Sequence, residues 1–225
     1  MLIKNFPYSS GARLHIIGKI RTGTRDYAHP RKSKSGATFY VPMSLDHFIV
    51  TQPGRPGPDK PPELDANVMA SLGDTCRRIP ITFAADAVYQ SGFDADAVAV
   101  PHGGFDFSGI WESTFICFRK SGERMDRFCS GDGDTATRDG ISRPCIPLEC
   151  GEYQADACRA RGRLFCLINM PEATSGGIYV YETGSLKSIE AIQAALDYYA
   201  RNLNGRLAGI PFSLVLRTES AMVNN

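Results

Sequence analysis

Apolar positions recur with period two in several short stretches of the chain and at helical spacing in two others, with turn residues between them. From Ala12 to Thr22, Leu14, Ile16 and Ile20 fall on one side of an extended chain and Arg13 and Lys19 are among the rest, which predicts a strand with a polar outer face. A basic, turn-rich segment, Gly23–Gly36, leads to a second strand-like stretch, Ala37–Val50, carrying Phe39, Val41, Leu45, Phe48 and Val50. Between Gln52 and Glu63, Pro53, Pro56, Pro58, Pro61 and Pro62 exclude helix and central strand, because proline lacks the backbone donor that both require. Leu64, Val68 and Leu72 predict a short helix ended by Gly73. Ile79–Phe83 follows as a strand that Pro80 places at a sheet edge or at its own start.

The second half repeats this alternation and adds one long helix. Trp111–Arg119, Leu164–Met170, Ile178–Glu182 and Pro211–Arg217 read as strands. Ser185 or Ser188 caps a helix whose apolar stripe is Ile189, Ile192, Leu196, Tyr199 and Leu203, with Asn204-Gly205 as its stop. No ligand-type residue interrupts that stripe, so it reads as core. The sum is an α+β protein: a mainly antiparallel sheet, a long helix in the C-terminal half, and a cysteine-rich insertion. Residues 1–127 form the N-terminal α+β part, 128–163 the insertion, and 164–225 a strand–helix–strand part completing the same domain.

The insertion carries the candidate chemistry. Cys129, Cys145, Cys150 and Cys158 fall within thirty residues that have few core-forming side chains and include Gly131-Asp-Gly-Asp134 and Arg138-Asp-Gly140. Such a stretch cannot hold its loops by apolar burial and calls for a crosslink. Zinc suits four thiolates, since it binds sulfur tetrahedrally and imposes no geometry of its own. The spacing lacks tight C-x-x-C knuckles, so disulfides and unligated buried thiols stand beside zinc as readings. The odd total of seven cysteines and a start without a secretory apolar region fit a reducing compartment, and the expected location is the cytoplasm. Cys117 and Cys166 lie in apolar runs and read as small core residues, with Cys166 close enough to substitute for Cys158.

Composition narrows the classes. The formal net charge is +1 and no apolar run approaches membrane-spanning length, so neither membrane nor a global polyanion field is indicated. Charge is nevertheless uneven. Residues 1–36 carry eight cations against Asp26, a balance of +7, which leaves −6 for the remainder. Lys19, Arg21, Arg25, Arg31, Lys32 and Lys34 are therefore candidate nucleic-acid contacts, against the plainer reading of a solvated strand face without interleaved aromatics. His47 beside Asp46 sits on an alternating stretch that directs the two apart, and reads as a hydrogen-bonded core histidine. His102, before Gly103-Gly104, has no partner motif and reads as a turn residue.

Nucleophile-elbow, P-loop and H-E-x-x-H motifs are all missing. The run from Asp132 starts like a calcium loop, but Ala136 and Arg143 stand where ligands belong. Four thiolates would saturate a zinc ion, leaving no place for a reactive water, so a structural site in a non-enzyme is expected, without a small-molecule substrate.

Several ordered motifs carry a family resemblance: Ile17-Gly-Lys-Ile-Arg-Thr-Gly23, Leu45-Asp-His-Phe48, Ile79-Pro-Ile-Thr-Phe83, Phe128-Cys-Ser-Gly-Asp132, the Cys145/Cys150/Cys158 group, Arg163-Leu-Phe-Cys-Leu-Ile-Asn-Met-Pro171, Tyr181-Glu-Thr-Gly-Ser185 and Pro211-Phe-Ser-Leu-Val-Leu-Arg217. Together they resemble the phage recombination directionality factors of the large serine integrases and related phage proteins known only as metal-binding. The resemblance implies a non-catalytic partner, in the cytoplasm of a bacterial host, that binds integrase already on DNA and turns it from integration to excision. Arg159, Arg161 and Arg163, adjacent to the crosslink, are the expected partner contacts, and direct contact with DNA is a further possibility. The alternative is a zinc-stabilised nucleic-acid-binding phage protein with no integrase partner.

Overall fold

The computed structural model describes residues 15–33, 36–54, 60–90, 104–121, 124–131, 135–155, 157–173 and 177–217. Lys34, His102, Asp132–Asp134, residues 12–14 and the middle of the proline-rich stretch lie outside them. In chain order the first elements are β1 (Ile16–Arg25), β2 (Arg31–Lys32), β3 (Thr38–Phe39), β4 (Pro42–Thr51), α1 (Ala66–Leu72), β5 (Arg78–Thr82), β6 (Val88–Gln90) and β7 (Gly104–Asp106). There follow β8 (Trp111–Ser121), β9 (Arg124–Gly131), β10 (Thr135–Arg138), β11 (Ile141–Pro144), a 3-10 turn (Pro147–Glu149) and α2 (Gly151–Gln154). The chain then forms β12 (Cys158–Ile168), β13 (Ile178–Thr183), α3 (Leu186–Asn202) and β14 (Phe212–Val215).

These elements gather into two compact units. One takes the chain up to Ala84, Phe165–Tyr181 and the chain from Ala208; the other takes Ala85–Leu164 and Glu182–Leu207. In the first unit β13, β1 and β4 are neighbours in one sheet, and β5 pairs with β14 and with the end of β12. β1 runs parallel to β13, with Ile16 opposite Ile178 and Ile20 opposite Tyr181. The sheet is thus mixed, and its other described ladders are antiparallel. Phe165, Ile178 and Val180 form a buried cluster with Ile16 and Leu167 packed against it.

The glycine of the Ile17-Gly-Lys motif has a steric reason: a Cβ at Gly18 would stand 2.5 Å from the Tyr179 ring. That ring is almost wholly buried, and its hydroxyl donates to Asp65 Oδ2 at 3.0 Å. Asp65 also caps α1, its Oδ1 accepting from the Val68 backbone N–H at 3.3 Å. A bare backbone on β1 thereby lets one tyrosine tie the sheet to the start of a helix.

In the second unit the strand order is β11-β10-β9-β8-β12, every ladder antiparallel. Ser185 caps α3 by accepting from the Ser188 N–H, and Asn204 and Gly205 leave the helix with positive φ. Leu196 and Ala200 of α3 are buried, as are Ile110 and Trp111. The structure corrects one expectation here. β12 begins at Cys158 rather than Leu164, and most of the expected loop from Phe128 onward is strand. The alternation was concealed because the buried positions Cys158, Ala160 and Gly162 hold small residues between the arginines. Gly162 must stay small, since a Cβ there would run into the Trp111 ring and Ile189.

Candidate functional site

The β9-β8-β12 ladders bring three cysteines into one row. Cys117 on β8 stands opposite Cys129 on one side and Cys158 on the other. Paired residues of antiparallel strands project from the same face, so the three thiols share it. Gly131, two residues beyond Cys129, carries Cys145 over this face: a Cβ on Gly131 would lie 2.6 Å from Cys145 Sγ. The 3-10 turn and α2 cover the same side, with Tyr153 packed edge-on against Phe115 at 5.8 Å between ring centres. Cys150 sits between these two turns and its thiol donates to Glu152 Oε2 at 3.1 Å, while Glu152 pairs with Arg138. Cover and sheet are thus joined by a ring contact and an ion pair.

The result is a cavity of about 240 Å³ whose wall includes Cys117, Cys129, Cys145, Cys150 and Cys158. All four sequence-nominated cysteines face it. The fifth, Cys117, was read as core because its neighbours Ile116 and Phe118 are apolar; the usable signal was its odd-numbered place with Phe115 on a strand pairing with two cysteine-bearing strands. Cys166 is fully buried on β12, beyond Leu164 and outside the cavity wall. All seven cysteines are free thiols in the structure.

Burial sets the electrostatics. It pushes the Cys117 thiol up to about 12, with Cys158 adding to the rise, and raises Cys129 and Cys158 for the same first reason. Among the described residues no three His, Cys, Asp or Glu side chains are close enough to form a metal-ligand set. The five sulfurs line the cavity wall without meeting at a point. Tetrahedral Zn–S bonds of ~2.3 Å put sulfurs roughly 3.8 Å apart, a closer grouping than any set of three described residues shows here. The donor chemistry fits zinc, because five soft thiols share the wall with two acids, Glu149 and Glu152, balanced by Arg138 and Arg143.

Arg159, Arg161 and Arg163 do share one face of β12, the face opposite Cys158 and Ala160. Arg161 pairs with Glu182 at 2.8 Å, and Arg163 with Glu112 at 3.2 Å and Glu182 at 3.5 Å. Arg159 is exposed. With Phe118, Ile116 and Thr183, Arg159 and Arg161 line a shallow groove on that side. The three arginines thus adjoin Cys158 along the chain, while their side chains lie on the other face of the strand.

One histidine reading is overturned. His47 Nδ1 lies 2.9 Å from Asp46 Oδ1, which also has Arg77 beside its other oxygen at 2.6 Å. The β1–β4 register breaks between Arg21 and Gly23, so simple alternation fails on β4 over Leu45–Phe48. His47 and Arg77 together hold the Asp46 carboxyl below its ordinary range. Asp46 is largely exposed and pairs with Arg77, with the partly buried His47 ring against its other oxygen.

Of the basic N-terminal candidates, Arg21 Nε donates to Thr51 Oγ1 at 3.3 Å, whereas Arg25, Arg31 and Lys32 are exposed. Lys19 is half-buried on β1. The described helices include none long and apolar enough to cross a membrane.

A family model described as Gp3-like, recombination directionality factor-like, matches residues 97–225, and every wall cysteine falls inside that span. No curated protein and no solved structure matches. Matched over more than half its length, the chain belongs to the recombination directionality factor-like family.

Proposed function

We propose that this protein is a non-catalytic accessory factor that binds a large serine integrase on DNA and shifts it from integration to excision. The family match across the thiol-walled unit carries this reading. The integrase supplies the nucleophile. The factor acts by binding the excision-competent arrangement more tightly than the integrative one, and a hundred-fold swing between them needs about 2.7 kcal/mol of differential affinity. A docking surface fixed in advance loses less entropy on association. In this reading a structural zinc, drawn from Cys117, Cys129, Cys145, Cys150 and Cys158, fixes the cover against the β9-β8-β12 face.

The docking face proposed is the groove of Arg159, Arg161, Ile116 and Phe118, on the outer side of the braced strands. Exposed aromatic and arginine side chains around a shallow concavity are common anchors of protein interfaces. The test is capture of the cognate integrase by the tagged full chain, with integration and excision scored on paired attachment-site DNA and zinc measured on the same sample. Expected are capture, stimulated excision and suppressed integration. Replacing Arg159, Arg161 and Arg163 together by alanine weakens capture at least ten-fold; unchanged capture removes this face from the reading, and no capture by the unaltered chain removes the integrase.

A further inference from the structure

The strands β1 and β4 do two different things along their length. From Ile16 to Ile20, β1 pairs with β13 inside the first unit, and at Lys19 and Ile20 it lies between β13 and β4. Beyond the register break, Gly23, Thr24 and Arg25 pair with Ser44, Met43 and Pro42, and among the described residues no third strand joins them. The pairing extends through the Asp26 N–H to the Val41 carbonyl and resumes in the small β2–β3 ladder, with Arg31 opposite Phe39 and Lys32 opposite Thr38. This is a two-stranded ribbon. Tyr27 and Tyr40 pack their rings 5.0 Å apart within it, giving it a small brace of its own.

Its surface is basic. Arg25, Arg31 and Lys32 are exposed, and Phe39 beside Arg31 is 45% exposed. The acid of the ribbon, Asp26, is engaged by His29, whose ring Nδ1 lies 3.0 Å from both carboxylate oxygens. An isolated ribbon is marginal in water. Exposed cations and an exposed ring on such an element point outward to a partner, and cations with so little compensating acid fit a polyanion. The groove sizes decide which one: the major groove of B-form DNA, ~12 Å wide, admits a two-stranded ribbon, whereas the deep major groove of A-form RNA does not.

We propose that the ribbon formed by residues 23–32 and 38–44 is a duplex-DNA-binding arm, lying in the major groove with Arg25, Arg31 and Lys32 on phosphates and Phe39 against the groove wall. The arm lies outside the matched segment 97–225, so this binding is separate from the integrase contact and stands or falls independently of it. It assigns four of the six sequence candidates: Arg25, Arg31 and Lys32 make the contact, and Arg21, tied to Thr51, supports the base of the ribbon.

The test uses the full chain and a duplex of arbitrary sequence, with binding followed by fluorescence anisotropy between 50 and 200 mM salt. Expected is binding by the unaltered chain that weakens steeply with salt. Arg31→Glu with Lys32→Glu lowers affinity at least ten-fold and reduces the log–log salt slope by about 1.8, at about 0.9 for each lost phosphate contact. The neutral pair Arg31→Gln with Lys32→Gln, checked for an unchanged melting transition, lowers the slope similarly and guards against a folding defect. No duplex binding by the unaltered chain, an unchanged slope in the neutral pair, or tighter binding to single strands overturns the proposal. Integrase capture without DNA is measured on the same variants: retained capture with lost duplex binding supports a DNA arm, and lost capture makes the ribbon a protein contact and overturns it.

Discussion

The cluster around Phe165 and the wall around Cys117 are both built on strands, yet they are held together by different means. Phe165, Ile178 and Val180 are at most 8% exposed, and burying three such side chains contributes about 5–8 kcal/mol. Across β10 and β11, by contrast, Ala136 is the one buried residue of eight, and Ile141 is 72% exposed. A single buried alanine contributes well under the entropy cost of fixing those residues. Besides their backbone ladders, the outer strands have the Arg138–Glu152 ion pair and Arg138 over the Phe128 ring, and they adjoin the thiol-lined face of β8 and β9. Small size is the wall's virtue: Cys117, Gly131, Ala136 and Cys158 leave room between sheet and cover, and that room is where the proposed zinc would sit.

The largest expected effect follows from this difference. Structural zinc contributes on the order of 10 kcal/mol in small thiolate sites, so if the proposed zinc is bound, its removal should undo the wall and spare the cluster. Chelation of zinc-loaded protein is expected to speed amide hydrogen exchange over β9 to α2 at least a hundred-fold while Phe165 and Val180 stay protected. Cys117→Ser is expected to abolish zinc binding and Cys166→Ser to leave it unchanged, measured as metal content per chain. If Cys117→Ser retains one zinc with full affinity, the row of three thiols is not the ligand set. If exchange quickens equally in both regions, they are not separately held.

The converse change strikes the cluster. Phe165→Ala removes a large side chain that is 2% exposed and is expected to cost about 3–5 kcal/mol in chemical denaturation. Zinc content should stay at its original value, because Cys166 and Phe165 lie past the part of β12 that faces the cavity. Loss of zinc in this variant would show that the wall depends on the cluster.

How much of this was legible in the sequence depends on side-chain size. Large apolar residues announce their elements: Ile189, Ile192 and Leu196 marked α3, and Ser185 marked its start. Where the buried face carries Cys158, Ala160 and Gly162, the period of two is there but hydropathy hardly registers it, and the first half of β12 read as loop. The four nominated cysteines were found through scarcity of other core residues. Cys117 was not, because Ile116 and Phe118 gave it an ordinary apolar setting, and its relevance arises only when β9 and β12 pair on either side of it. The parallel β1–β13 ladder depends likewise on pairing between distant segments, which no local pattern encodes. His47 was misread for the opposite reason: alternation was assumed across a register break.

The smallest expected effect concerns the outer face of the braced strands. Arg161 pairs with Glu182 at 2.8 Å, but its side chain is 45% exposed, and such pairs contribute ~0–1 kcal/mol because solvent screens them and both side chains lose freedom. Arg161→Ala is therefore expected to shift the unfolding free energy by less than about 1 kcal/mol and to leave zinc content unchanged. Its effect on integrase capture should exceed its effect on stability, since at an interface the lost side chain also removes packing and leaves its partner's acceptors unmet. A stability loss of several kcal/mol would instead make Arg161, with Glu182 and Arg163, part of what holds β12 in place. The thiol wall would then owe its rigidity to an ion network on the far side of the strand as well as to any metal held on the near one.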